Sequence, residues 1–350
     1  MFYKYEFRDY YGRNALYLYL TMNDEIASEL GNDNSDKITH KVKNYIKNKN
    51  IDYNGEEVFL VVNGIVVKSI NLKNKEINIE VLDDKCSYVN IKYNVKIVNN
   101  NKERIINLKD YLLGVLFANN IYNMPKELVK AVCVLYRTYT FYRMEKDGFL
   151  DINDNFMKYR NVSYYKLFLI EDYLNIYNKL EEAINETDCI FITYNNEYIK
   201  PYIHNTNNGF TEGIDNIPYL EKRESLWDLL SPNYLNIKEF SYDMLEKLLN
   251  VSKEELQNIK ILELTSGNKI KKIKIGPIIY SGEEFRNKLK LNSNDITILI
   301  NDYNIKFVTR GDGNGLGLSL SGGMELARSN CNFLQILNYY FPKCTIKKYV

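Results

Sequence analysis

The sequence has little of several residue types on which common functional sites depend. It holds two histidines in 350 residues, so a site that needs several imidazoles cannot be built. Its five cysteines are scattered and contain no CxxC pair, which argues against both a disulfide framework and a cysteine zinc cluster. We therefore expect no metal ion and no cofactor.

Charge of one sign and long apolar runs are also missing. The 46 basic residues nearly cancel the 45 acidic ones, so the charge balance gives no general attraction to nucleic acid. No apolar run approaches the roughly 18 residues that span a bilayer. The opening residues lack the basic start and apolar centre of a signal peptide. We expect no nucleic-acid partner and no membrane span, and a cytoplasmic protein unless an export segment has been removed.

The first part of the chain, residues 1–95, is predicted to be β-rich. Strands are expected at Asn14–Leu20 and within Val58–Leu72, where Asn63-Gly64 separates two β-branched runs and predicts a hairpin. Lys37–Lys49 has the pattern of a short basic helix. Nothing in this region suggests catalysis, so its predicted role is docking or support.

The central stretch, residues 110–142, predicts a short helix, an Asn-rich break and a longer helix. In the second helix the apolar positions form one stripe with helical spacing: Leu128, Val132, Leu135, Tyr139 and Tyr142. Asn123 is a candidate cap, and Pro125 suits the first turn. A buried helix after a polar break can present a catalytic side chain, although the same pattern is typical of a plain core helix.

The remainder alternates strands and helices around two polar loops. Helices are expected at 173–185, 241–249, 283–289 and 333–340, and strands at 189–194, 198–203 and 272–279. The loop HNTNNGFTEG, residues 204–213, follows a strand, where sites tend to lie. A lone His204 there is also typical of a hydrogen-bonded loop residue.

The second polar loop is VTRGDGNGLGLSLSGGMELA, residues 308–327. Its closely spaced glycines permit a turn with unusual backbone dihedrals, but neither the phosphate-loop nor the calcium-loop pattern is satisfied. The fold class expected from the whole pattern is α+β, with a mixed β-rich core, a buried central helix pair and the extra N-terminal β-rich region.

Three segments together resemble the stage II sporulation protein D family, which also contains the LytB amidase enhancers. DYLLGV with Pro125 and Arg137-Thr138-Tyr139 resembles the family's E-Y-x-x-G-V, Pro and R-T-Y. The segment from Tyr202 to Glu212 resembles Y-H-S-T-S-G-G-x-T-E, and the glycine stretch followed by ILNYYFP resembles G-R-G-W-G-H-G-V-G-M-S-Q and I-L-x-x-Y-Y-P. The resemblance implies a domain of this family at residues 96–350.

The family's members are peptidoglycan enzymes, and the sporulation protein is a lytic transglycosylase that cuts glycan strands lacking stem peptides. Counted without a gap, the family's catalytic glutamate falls on Asn119, and an amide cannot protonate a leaving oxygen. The glycine-motif histidine falls on Asn314. Zinc, which some members hold through histidine and cysteine, would have only His204 left.

The resemblance therefore implies a pseudoenzyme that keeps the groove and has lost the reaction. Its expected partner is a peptidoglycan glycan strand or a cell-wall or sporulation protein, because amides can still hydrogen-bond sugar hydroxyls. The residues expected at the groove are Asn119, Arg137, His204, Thr206, Glu212, Arg310 and Asn314.

Two alternatives stay open. The first is an active lytic transglycosylase with a relocated acid, either Glu212 or, less favoured, Glu127, whose position is also typical of a charge at a helix N-terminus. The second is an intracellular protein-interaction module. The glycan hypotheses place the protein at the cell wall or the sporulation septum, and the interaction module stays in the cytoplasm.

Overall fold

The structure is a computed structural model that describes residues 94–99, 102–154, 156–169 and 172–349, together with the backbone of five earlier strands. The helices are α1 Leu108–Ala118, α2 Lys126–Asp147, α3 Val162–Phe168, α4 Tyr173–Glu186, α5 Tyr242–Leu249, α6 Lys253–Leu256, α7 Gly282–Leu289, α8 Leu320–Arg328 and α9 Phe333–Tyr340. The fold class is α+β, as predicted.

The strands begin with the five whose backbone alone is described. In chain order they are β1 Tyr3–Arg8, β2 Asn14–Leu20, β3 Glu57–Val62, β4 Ile65–Asn71, β5 Ile79–Leu82, β6 Asn94–Asn99, β7 Lys102–Asn107, β8 Leu150–Asp151, β9 Ile190–Tyr194, β10 Glu197–Tyr198, β11 Ile203–His204, β12 Leu235–Ser241, β13 Lys260–Leu264, β14 Ile270–Ile275, β15 Ile278–Ser281, β16 Asp295–Ile300, β17 Asn304–Arg310, β18 Leu318–Ser319 and β19 Thr345–Tyr349.

The chain divides into two compact units, each made of two segments. The helical unit comprises residues 75–203 and 326–350, and the glycine-loop unit comprises residues 1–74 and 204–325. Most of residues 1–93 lie outside the described part of the chain, so the predicted division at residue 95 stays a prediction. The same holds for the predicted helix at 37–49 and the turn at 63–64, although β3 and β4 do pair antiparallel as the hairpin prediction requires.

The helical unit is built around α2, which is buried from Leu128 to Phe141. Helices α1, α4 and α9 and strand β9 all contact it. Because side chains on every face are buried, the apolar stripe seen in the sequence is one part of a fully enclosed helix. Strand β19 lies between β9 and β5, antiparallel to the first and parallel to the second.

One local prediction in the helical unit needs correction. Asn123 does not cap α2: it ends a short 3₁₀ turn, and Pro125 occupies the cap position without a side-chain hydrogen bond. Proline fixes the extended backbone before the helix and needs no N–H partner, so it begins the helix unaided. The seven-residue helix α3, which Asn161 caps, was not predicted.

The glycine-loop unit contains two antiparallel sheets, β12-β17-β16 and β13-β14-β15. Helices α5 and α7 each follow a strand and begin at a serine cap, Ser241 and Ser281. Phe307 at the centre contacts Phe240 and Phe285 with ring centroids 5.7 and 5.8 Å apart. This core fixes the strands whose ends carry the polar loops.

Candidate functional site

The glycine loop packs directly against the segment that begins at His204. The Asp312 N–H donates to the Thr206 carbonyl at 2.6 Å, and the Glu212 N–H donates to the Gly315 carbonyl at 2.8 Å. Gly313 has φ +115°, and a Cβ there would lie 2.7 Å from the His204 Cβ. Glycine is needed because the backbones approach too closely for a side chain. The second and third sequence segments therefore form one structural feature.

His204 is buried beneath this loop. Its Nδ1 lies 2.9 Å from the Leu316 carbonyl, which requires a proton on Nδ1, and its Nε2 has no hydrogen-bond partner among the described residues. Burial and then the nearby Lys269 lower the pKa of His204 to about 3, while the bond to Leu316 raises it. The imidazole is therefore neutral at neutral pH.

Glu212 forms a buried ion pair with Lys269, which lies between β13 and β14. The Lys269 Nζ lies 3.3 Å from Glu212 Oε1, yet neither atom has a hydrogen bond within the described part of the chain. Burial lowers the pKa of Lys269, and Glu212 acts in the opposite direction. A Cβ at Gly267 would lie 1.9 Å from Glu212 Oε1, and a Cβ at Gly315 would lie 1.9 Å from Lys269 Nζ, so two glycines make room for the pair.

Asp228 is another buried ionisable residue in the same unit. Its carboxyl group accepts from the Asn207 N–H at 3.1 Å, from Asn207 Nδ2 at 2.9 Å, and from the hydroxyls of Ser225 and Ser319. Burial raises the pKa of Asp228 to about 7, although these hydrogen bonds lower it. The Asp228 carboxyl group thus connects Asn207, in the segment that begins at His204, to Ser319, which directly precedes α8.

The other predicted groove residues of this unit also bond within it. Thr206 Oγ1 lies 3.0 Å from Ser231 Oγ and 2.7 Å from Ser321 Oγ. Arg310 Nη2 lies 2.8 Å from Asp295 Oδ1. Asn314 Oδ1 accepts from the Leu316 N–H at 3.0 Å, which fixes the glycine loop. Binding of sugar by these residues stays a prediction.

Asn119 ends helix α1 in the helical unit. Its Nδ2 donates to the Val115 carbonyl at 2.8 Å and to the Lys158 carbonyl at 3.0 Å. Two carbonyl acceptors identify the group facing them as the amide nitrogen. The position therefore uses Asn119 as a donor.

Arg137 is 1% exposed and caps the C-terminal end of α4. It donates to the carbonyls of Thr187 at 2.6 Å and Ile184 at 3.1 Å. These contacts favour a structural role, and its assignment to a groove stays a prediction. Glu127 is likewise engaged, since it accepts from the Phe333 N–H at 2.8 Å and pairs with Lys130 at 2.6 Å.

The predicted site residues thus fall into two sets. His204, Thr206, Glu212, Arg310 and Asn314 belong to the glycine-loop unit, and Asn119 and Arg137 belong to the helical unit. Sequence reasoning missed Asp228 and Lys269. Neither lies in one of the resemblance segments, and their partners are distant in sequence, so no local pattern points to them.

The residues around His204 do not fit a zinc ion. An ammonium group, Lys269, contributes to its electrostatic environment, and the free cysteines of the described residues all lie in the helical unit. Across the described ranges, no three His, Cys, Asp or Glu side chains are grouped so that they could hold a metal ion. Nor does any helix in those ranges have the length and apolar character to cross a bilayer.

Comparisons with known proteins relate the chain to stage II sporulation proteins. Residues 98–194 match the family model described as "Stage II sporulation protein". The chain is 28% identical over 257 residues to stage II sporulation protein D of Bacillus subtilis, covering 69% of this chain and 75% of that protein. It is 27% identical over 264 residues to stage II sporulation protein D of Bacillus amyloliquefaciens, covering 71% and 77%.

A third relative extends the comparison beyond Bacillus. An uncharacterised protein of Brachyspira hyodysenteriae is 25% identical over 261 residues, covering 70% of this chain and 67% of that protein. The chain is thus similar over about 70% of its length to stage II sporulation protein D, and residues 98–194 match the family model.

Proposed function

We propose that this protein binds peptidoglycan glycan strands in a sporulation-related, cell-wall role and does not cleave them. The two Bacillus relatives are named as stage II sporulation proteins, which supports the sporulation-related role. The absence of cleavage rests on the chemistry at the position of the family's glutamate.

The observation that carries the proposal is the double donation from the Asn119 amide. A carboxylate cannot donate to the Val115 and Lys158 carbonyls that Asn119 Nδ2 contacts. A negative charge is also unfavourable at a helix C-terminus, where the dipole is negative. An amide satisfies the position but cannot exchange a proton with a glycosidic oxygen, and loss of general acid–base catalysis forfeits about 10²–10⁴ in rate.

Glu212 is the alternative acid, and its surroundings do not favour that role. It is buried and paired with Lys269, and its backbone N–H is bonded to Gly315. A general acid must come within hydrogen-bond reach of the leaving oxygen. Glu212 would have to leave its ion pair to reach one, so the relocated acid remains a prediction with less support.

The test uses purified peptidoglycan, both peptide-bearing and stripped of stem peptides by an amidase. Pelleting of the full chain measures binding, and release of anhydro-sugar products measures cleavage. The native protein is expected to pellet with stripped material and to release no product. Asn119→Gln and Asn119→Glu form a matched pair, because both add one methylene and only the second can ionise. Product from Asn119→Glu alone would support the placement of the lost acid.

Other outcomes overturn the proposal. Product from the native protein would refute the loss of catalysis, and its disappearance in Glu212→Gln would assign the acid to Glu212. Failure of the native protein to pellet with either material would refute glycan binding. Thermal unfolding of each variant separates a lost reaction from a lost fold.

A further inference from the structure

Helix α3 leaves an apolar stripe uncovered on the helical unit. Tyr164, Leu167 and Phe168 are spaced i, i+3, i+4 and so share one face of the helix. The side chains of Leu167 and Phe168 are 74% and 65% exposed. Tyr165 lies on the opposite side and stacks on Phe117 with ring centroids 5.0 Å apart, which attaches the helix to α1. One face of α3 is therefore anchored, and the other presents large apolar groups to the surroundings.

Most charges near this stripe are positive. Lys158, Arg160 and Lys166 are exposed, and residues 156–169 contain no aspartate or glutamate, although Glu171 and Asp172 follow in the sequence. The Arg160 guanidinium lies over the Tyr164 ring, 4.1 Å from its centroid. Exposed leucine and phenylalanine beside three cations form an amphipathic surface.

The chemistry of this surface suits an anionic bilayer better than a sugar. At a membrane interface, leucine and phenylalanine enter the acyl boundary while lysine and arginine extend to the phosphates. Each nearby cation adds attraction to an anionic leaflet. A sugar would need hydrogen-bonding groups around an open ring, whereas Arg160 covers one face of Tyr164 and Leu167 offers no polar atom.

We propose that the α3 patch, defined as Tyr164, Leu167 and Phe168 with Arg160 and Lys166, docks the protein on the surface of an anionic membrane. The apolar side chains enter the headgroup boundary. The α3 patch shares no residue with those proposed for glycan binding, so either proposal can fail alone.

Flotation of the full chain with vesicles tests the proposal. The vesicles are phosphatidylcholine alone or phosphatidylcholine mixed with phosphatidylglycerol. The native protein is expected to float with the mixed vesicles, and raising the salt is expected to release it. Leu167→Ser with Phe168→Ser is expected to weaken binding at least about tenfold, and Arg160→Glu with Lys166→Glu at least about tenfold.

Ile105→Ser is the matched control, because Ile105 is 75% exposed in the same unit but lies on β7. It is expected to bind within about twofold of the native protein. Absence of native flotation with the mixed vesicles, equal binding to neutral vesicles, or unchanged binding of the Leu167–Phe168 variant would each overturn the proposal. Peptidoglycan pelleting of the same variant is expected to be unchanged. Its loss, with the fold intact by circular dichroism, would reassign the patch to glycan.

Discussion

A buried cation in the helical unit and one in the glycine-loop unit are accommodated in different ways. Arg137 in the helical unit donates to main-chain carbonyls at the end of α4, so its charge is balanced by a helix terminus. Lys269 in the glycine-loop unit is 2% exposed and faces a carboxylate at 3.3 Å without a hydrogen bond. Arg137 holds the end of α4 in place through several hydrogen bonds, whereas Lys269 is paired with one carboxylate, that of Glu212.

The difference follows from the two side chains. A guanidinium presents five N–H groups in a fixed plane and can serve several carbonyls at once, whereas an ammonium is a compact point charge. Arg137 lies in a segment that resembles the family's R-T-Y, and its contacts give that residue a structural reason to be present. Lys269 has no counterpart among the resemblance segments, and its partner Glu212 comes from one of them.

The largest effect is expected at Arg137. Arg137→Met would remove the charged donor from the carbonyls of Ile184 and Thr187, leaving them only the Thr187 hydroxyl and the Ile190 N–H, at a cost of about 4 kcal/mol for the two lost charge-assisted hydrogen bonds. Denaturant unfolding followed by circular dichroism measures the change. Arg104→Met, at an exposed strand position, is expected to stay within about 0.5 kcal/mol of the native protein. A small effect at Arg137 would show that its hydrogen bonds do not stabilise the helix end.

Lys269→Met is expected to cost about 3 kcal/mol, because it strands a buried carboxylate. Adding Glu212→Gln removes that charge, so the double variant is expected to be more stable than Lys269→Met alone. The same unfolding measurement on both variants and on Glu212→Gln completes a double-mutant cycle. Additive changes would contradict the dependence of Lys269 on one partner.

Gly148 in the helical unit and Gly315 in the glycine-loop unit have similar backbone conformations but different surroundings. Gly148 has φ +74° and no atom within 4 Å of an added Cβ, whereas Gly315 has φ +79° and would place a Cβ 1.9 Å from Lys269 Nζ. Gly148→Ala is expected to cost about 1 kcal/mol from the backbone alone. Gly315→Ala is expected to cost about 2 kcal/mol, because the lysine must also move. Equal losses of Tm in Gly148→Ala and Gly315→Ala would show that Lys269 moves aside without a measurable cost in stability.

The net pH dependence of the native protein's stability is expected to be the smallest effect, because two buried groups contribute with opposite signs, each by about 1 kcal/mol per pH unit. Burial raises the pKa of Asp228 from 3.8 to about 7, so the folded state holds a proton that the unfolded state releases. The contribution of Asp228 to stability therefore falls as pH rises through this range. Burial lowers the pKa of His204 from 6.5 to about 3, so the contribution of His204 falls as pH is lowered.

Variants separate these opposing contributions. The native protein is expected to gain stability over Asp228→Asn as pH falls from 7 to 4. Its advantage over His204→Asn is expected to shrink between pH 6.5 and 4, and the asparagine retains a donor for the Leu316 carbonyl. Urea unfolding at each pH measures both differences, and parallel profiles would show that neither group titrates in that range.

Local patterns predicted much of the fold. The apolar stripe and Pro125 predicted α2, and the two predicted strands that became β9 and β10 are joined by a turn at Asn195 and Asn196, where both residues have positive φ. Asparagine tolerates this backbone because of its short polar side chain. Asn123 was wrong as a cap because proline begins the helix without a side-chain bond.

The site was less predictable because its interactions join distant residues. Asp228 accepts a hydrogen bond from Ser319, 91 positions later in the sequence, and Glu212 pairs with Lys269, which lies between β13 and β14. A single charged residue between two strands is ordinarily a solvated one. The glycine loop was predicted to be an unusual turn, but its packing against residues 204–213 was implied only by the family resemblance.

In the sheet order β10-β9-β19-β5, the neighbouring strands β9 and β19 are synthesised far apart in time. Thr193 on β9 lies 152 positions before Thr345, which faces it on β19, and residues 204–325 of the glycine-loop unit are made in between. At the usual 5–20 residues per second, β9 waits about 8–30 s for this neighbour. During translation one edge of β9 therefore lacks its native partner while residues 204–325 emerge, and an unpaired strand edge can pair with other chains.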